Sequence, residues 1–79
     1  MVEIPRELIA RLLAGPVPRA DVATSLGAKG SVSMLLSSHA RLMKPSHIVE
    51  RHSGGGAISY RLRRTQSGEM PGQVKEAAQ

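Results

Sequence analysis

Prolines and glycines cut this chain into short segments, and the segments change period from helical to strand-like part-way along. Residues 18–27, PRADVATSLG, predict a short helix that stops at Leu26-Gly27. A serine-rich helical pattern, SVSMLLSSHARLM, follows within a few residues, and Pro45 then stops it. HIVERHSGGGAISYRLRR alternates as two strands would, joined by Ser53-Gly54-Gly55-Gly56. Short helix, tight turn, helix and hairpin, in that order, leave few ways to build a small fold.

Upstream, the spacing predicts a helix over 5–14, with proline suited to its first position and Gly15 to its end. Ile4, Leu8, Ile9, Leu12 and Leu13 form its apolar stripe. Gly15-Pro16-Val17-Pro18 breaks the chain. Ala20, Val22, Ala23 and Leu26 point inward from the next helix. In the third, a projection at about 100° per residue gathers Val32, Leu35, Leu36, His39, Leu42 and Met43 on one side. Gly30, Ser33, Met34, Ser37, Arg41 and Lys44 fall on the other, with Ser38 at the margin. In the hairpin, Ile58, Tyr60 and Leu62 face the helices, and Ser59, Arg61 and Arg63 face away. Residues 65–79 carry no apolar period and predict a disordered tail. The expected fold is therefore mainly α with a small β-hairpin, one domain over 1–64 followed by a flexible tail over 65–79.

At 79 residues, with no Phe, no Trp and one tyrosine, Tyr60, the core must be aliphatic and small. A dimer that covers extra apolar surface fits that shortage. Cysteine is absent, so neither a disulfide framework nor a cysteine-based zinc site is available. No apolar run approaches the ~20 residues of a membrane span, and the N-terminal stretch is too charged for a signal peptide. A cytoplasmic protein is expected. Eleven Lys and Arg against six Asp and Glu give a formal charge of +5, which favours polyanionic partners. Arg51, Arg61, Arg63 and Arg64 cluster on or beside the hairpin, while Glu3, Glu7, Asp21 and Glu50 read as body residues.

The series Ala20-Asp21-Val22-Ala23-Thr24-Ser25-Leu26-Gly27, Lys29-Gly30-Ser31-Val32-Ser33, Ile48-Val49-Glu50-Arg51 and Tyr60-Arg61-Leu62 resembles the winged helix-turn-helix domain of prokaryotic and phage transcription regulators. The resemblance covers roughly residues 4–64, and the link from Gly27 to Val32 is slightly shorter than the family's. It implies three helices with a two-stranded wing, Ala23 packed inside the motif and Gly27 at its turn. It also implies sequence-specific binding of double-stranded DNA, with the third helix in a major groove. Ser33, Met34, Ser37 and Arg41 are then candidates for base contact, and Lys29, Ser31, Ser38 and Lys44 for phosphate contact. Arg51, Arg61 and Arg63 on the wing would meet phosphates or a minor groove. Ser31 is also placed to cap the helix. Arg19 ranks below the wing arginines.

This reading makes the chain a repressor by occlusion, acting as a homodimer on a two-fold site. The rival is a winged-helix interaction module, an adaptor or inhibitor that binds another protein. RNA or single-stranded DNA is disfavoured because the one aromatic ring points inward. No enzyme is expected, since no acid pair or cysteine offers acid–base or nucleophilic chemistry. No cofactor or metal is called for: His39 reads as a core or interface histidine, and His47 and His52 fall on opposite sides of a strand. SGGG is turn chemistry; it lacks the lysine and the strand–helix setting of a phosphate loop.

Overall fold

The computed structural model describes residues 3–27 and 30–77. These run α1 (Arg6–Ala14), β1 (Val17–Pro18), α2 (Arg19–Leu26), α3 (Val32–Leu42), β2 (His47–Gly54), β3 (Ala57–Arg64) and β4 (Val74–Glu76). The strands make one sheet in the order β1-β3-β2-β4. β3 pairs antiparallel with β1 and β2, whereas β4 runs parallel to β2 on the sheet's outer edge.

The sheet overturns the expectation of a mainly α chain with a small hairpin and a disordered tail. Of the described residues, 38% are helical and 29% lie in strands, an α/β arrangement. Two segments account for the difference. Val17-Pro18 is an edge strand, where the missing N–H of proline costs no ladder bond, and Val17 is buried opposite Tyr60. Residues 65–77 are held mostly through backbone groups. Gly72 N–H donates to His47 O at 2.8 Å, Val49 N–H to Gln73 O at 2.8 Å, and Ala77 N–H to Arg51 O at 2.9 Å. Backbone pairing of this kind leaves little hydrophobic period to read.

The helices follow their apolar residues. Pro5 sits at the N-cap of α1, and Ile4, Leu8 and Leu12 are buried beneath it, while Leu13 is largely exposed. α2 starts directly after Pro18 and ends at Gly27, whose φ is 59°. Ser31 caps α3 by accepting a hydrogen bond from Met34 N–H at 3.3 Å. The buried face of α3 is Val32, Leu36 and Ala40, a single four-residue row against the sheet. This face is turned from the expected one: Leu35 and His39 are half-buried, and Leu42 is 63% exposed. Ala40 inside the row lets the helix pack closely on β2.

The hairpin turn is Gly55-Gly56, with φ of 57° and 77°. Two successive positive φ values define the turn whose twist matches paired strands, and glycine adopts them without a Cβ clash. The resulting register puts Val49 opposite Leu62, with Leu62 and Tyr60 facing the helices as expected. Ile48, Glu50, His52, Ser59, Arg61 and Arg63 share the opposite face. Ile48 is fully buried there, outside the cluster under the helices.

Candidate nucleic-acid interface

Between Asp21 and Glu50 the sequence contains no acidic residue, and this stretch includes all of α3. The solvent side of α3 is built from Ser31, Met34, Ser38 and Arg41, with Lys44 just beyond its end. Met34 is 71% exposed. Arg41 and Lys44 form no ion pair among the described residues. Ser33 is half-buried, and its hydroxyl lies 3.0 Å from that of Ser31, so the two form one local pair at the helix start. Lys29 lies outside the described residues.

Ser37 does not share this open surface. Its hydroxyl donates a hydrogen bond to the carbonyl of Gly72, which places the C-terminal segment directly against α3. A Cβ at position 72 would come 2.7 Å from Ser37 O and 2.8 Å from Arg41 Cβ. Only glycine allows that approach, and its φ of 78° suits glycine as well. The expectation of an open Ser37 is thereby corrected.

The wing also differs from expectation. Arg63 is not a free cation on an outer face. Its Nε donates to Glu50 Oε2 at 2.8 Å, and its two terminal nitrogens donate to both oxygens of Glu69 at 3.0 and 2.7 Å. A planar fork shared between two carboxylates uses most of the directional capacity of a guanidinium. Lys75 Nζ joins Glu69 Oε2 at 3.2 Å, and Gln66 N–H donates to Glu69 Oε1 at 2.8 Å. The carboxyl of Glu69 is held down to about 2, first by Arg63, then by the Gln66 N–H and by Lys75. Glu50 is also lowered, mainly by its bond to Arg63, and these acids raise the Arg63 guanidinium further above its ordinary value.

Arg51 lies 3.6 Å from Glu76 on β4, and its Nε is buried without a hydrogen-bond partner. Arg61 makes no ion pair among the described residues, and its Nε is likewise buried and unpartnered. The sequence reading placed Glu50 in the body. The register instead sets it opposite Arg61 and beside Arg63 on the wing itself. Acids contributed by β2 and by 65–77 thus neutralise much of the basic hairpin.

Arg19 becomes more prominent. It is exposed, unpaired among the described residues, and lines an open groove of about 580 Å³ between α2, the start of α3 and the hairpin turn. Ala23, Val32 and Ile58 form its apolar wall. Arg64, at the end of β3, is also exposed and without an ion pair among the described residues.

His47 is buried, and its Nδ1 donates to Pro45 O at 2.9 Å, while His52 sits on the opposite sheet face with Nε2 3.5 Å from Glu50 Oε1. His39 is half-buried on α3. Among the described residues no group of three or more His, Cys, Asp or Glu is placed to hold a metal ion, and no helix is long and apolar enough to cross a membrane. Sequence reasoning missed Glu69 and Gly72. An acid in a turn and a glycine in an aperiodic stretch carry no local signal of what they touch. Comparison of the chain with protein-family models, curated proteins and solved structures found no match.

Proposed function

We propose that this chain binds duplex DNA in the manner of a winged helix-turn-helix regulator, with the acid-free solvent side of α3 in the major groove. The observation that carries this reading is that surface: Ser31, Met34, Ser38, Arg41 and Lys44, with no carboxylate between Asp21 and Glu50 to repel phosphate. The chain order supports it, because β1 between α1 and α2 closes the sheet on β3 while α3 precedes the hairpin. Arg41 is the candidate for guanine recognition, Met34 for a thymine methyl, and Ser31, Ser38 and Lys44 for phosphates. Arg19 and Arg64 add exposed charge, while Arg51 and Arg63 are engaged within the fold. Repression by occlusion requires only that such a module bind.

Selection from a random duplex library at physiological salt, followed by anisotropy titration of the enriched site, tests this reading. Affinity should fall with salt on a steep log–log slope as counterions are released. Arg41→Ala should flatten sequence discrimination. Affinity that ignores salt, or is equal for duplex DNA and RNA, would sink the reading. Met34, Leu42 and Met70, each more than 60% exposed, favour the second reading, a protein-interaction module. That reading wins if the three leave DNA affinity unchanged on conversion to serine while abolishing capture of a partner protein.

A further inference from the structure

Residues 65–77 touch three of the residues that the sequence assigned to DNA contact, Ser37, Arg51 and Arg63. Gly72 lies on α3 at Ser37 and Arg41. Glu69 takes both terminal nitrogens of Arg63, and Glu76 lies against Arg51. One short segment therefore withholds a hydroxyl of α3 and two arginines of the wing. We propose that residues 65–77 form an autoinhibitory strap that competes with DNA phosphates for Arg63 and Arg51 and with the groove edge for the Ser37–Arg41 side of α3. The proposal rests on the DNA-binding reading and adds its regulation.

The strap's attachments suit a reversible contact. Beyond Arg64 the segment contributes no residue to the apolar cluster under the helices. Met70 is 73% exposed and Val74 41% exposed, so the strap is held by hydrogen bonds and charge at Glu69 and Gly72 and not by apolar burial. Elements with few apolar contacts open at the lowest free energy. β4 pairs through three residues only, on the sheet's outer edge. Phosphate offers Arg63 the same bidentate geometry that Glu69 supplies. Glu50 stays on β2 when the strap leaves, so Arg63 keeps Glu50 at Nε and the Arg64 carbonyl at Nη1, and gives up both of its bonds to Glu69.

Two variants of this chain open the strap by unrelated means. Gly72→Ala adds a Cβ that meets Ser37 O and Arg41 Cβ, prying the segment off α3 without changing charge. Glu69→Gln removes the carboxylate that clamps Arg63 and Lys75. Circular dichroism and hydrogen exchange at the β2–β3 ladder would confirm that each variant keeps its hairpin.

Duplex affinity measured on the selected site should rise in both variants, by about tenfold if the strap leaves one molecule in ten competent. Glu69→Gln should also steepen the salt slope, because in the parent added salt loosens the competing Arg63–Glu69 pair and offsets part of the loss. In the parent protein, DNA should accelerate exchange of the Gly72 and Ala77 amides and leave the β2–β3 ladder protected. Unchanged or weaker affinity in both folded variants, with the parent still binding, would overturn the strap alone. Failure of parent and variants alike to bind any duplex would overturn the DNA reading and the strap's role together.

Discussion

Removing the Arg63 guanidinium should destabilise the fold more than removing any solvent-exposed ion pair, because Arg63 joins β2 and the strap to β3. The Arg63 side chain is 21% exposed, Glu50 17% and Glu69 6%. Arg63→Met would leave Glu50 with His52 at 3.5 Å and Arg61 opposite it in the ladder, and Glu69 with Lys75 and the Gln66 N–H. An exposed pair contributes about 0.2–1 kcal/mol, and breaking a fully buried one costs about 3–5 kcal/mol. Partial burial with three charge-assisted bonds places Arg63→Met between them, at about 2–3 kcal/mol. For a domain this size that lowers Tm by on the order of 10–20 °C.

Arg11 and Asp21, 3.3 Å apart and each 53% exposed, supply an internal control. Urea titrations of two double-mutant cycles, Arg63→Met with Glu50→Gln and Arg11→Met with Asp21→Asn, read the coupling directly. The first should exceed about 1 kcal/mol and the second should stay below about 0.5 kcal/mol. Equal couplings, or an Arg63→Met variant as stable as the parent, would refute the view that this arginine is structural. Strong loss of DNA affinity with no loss of stability would make Arg63 a DNA contact with no part in holding the fold.

Stability should also fall in acid. Glu69 and Glu50 have folded pKa values below their unfolded ones, so their contribution is complete above the unfolded carboxylate range of ~4.3. It is lost as pH falls from there through about 2 in the case of Glu69. Denaturant midpoints between pH 7 and 2 should trace that decline, and Glu69→Gln should flatten it. The rotation of α3 is checked by a pair of truncations. Leu36→Ala, at a fully buried position, should cost about 2–5 kcal/mol, whereas Leu42→Ala, at a largely exposed one, should stay within about 0.5 kcal/mol by urea titration.

The helices and the hairpin were legible because their signals are local. Gly27 ends α2, Ser31 caps α3, and period-two alternation sorts Tyr60 and Leu62 from Arg61 and Arg63. The face of α3 was only half legible. A projection weights Leu42 as apolar and Ala40 weakly, whereas packing on β2 favours the small residue inside. β1 was hidden because a two-residue strand has no period, and β4 because Val-Lys-Glu on an edge has no buried alternation. The site was least legible where it depends on pairing across distance. Glu50 and Arg63 lie thirteen residues apart, and only the hairpin register brings them together.

These pairings move the positive field of the molecule. Asp21, Glu50, Glu69 and Glu76 each neutralise a cation, and three of the four do so on the hairpin or the segment against it. Arg6, Arg19, Arg41, Lys44, Arg61 and Arg64 remain without an ion pair among the described residues. Arg19 precedes the acid-free stretch from 22 to 49, and Arg41 and Lys44 lie within it, at the end of α3 and just beyond. A polyanion steered by this field meets α2 and α3 first and the hairpin second. On this ordering, Arg19→Ala and Lys44→Ala should slow association measured by stopped flow at low salt, and Glu69→Gln should chiefly slow dissociation. Faster association in Glu69→Gln, with Arg19→Ala and Lys44→Ala unaffected, would reverse the order and make the wing the first point of contact.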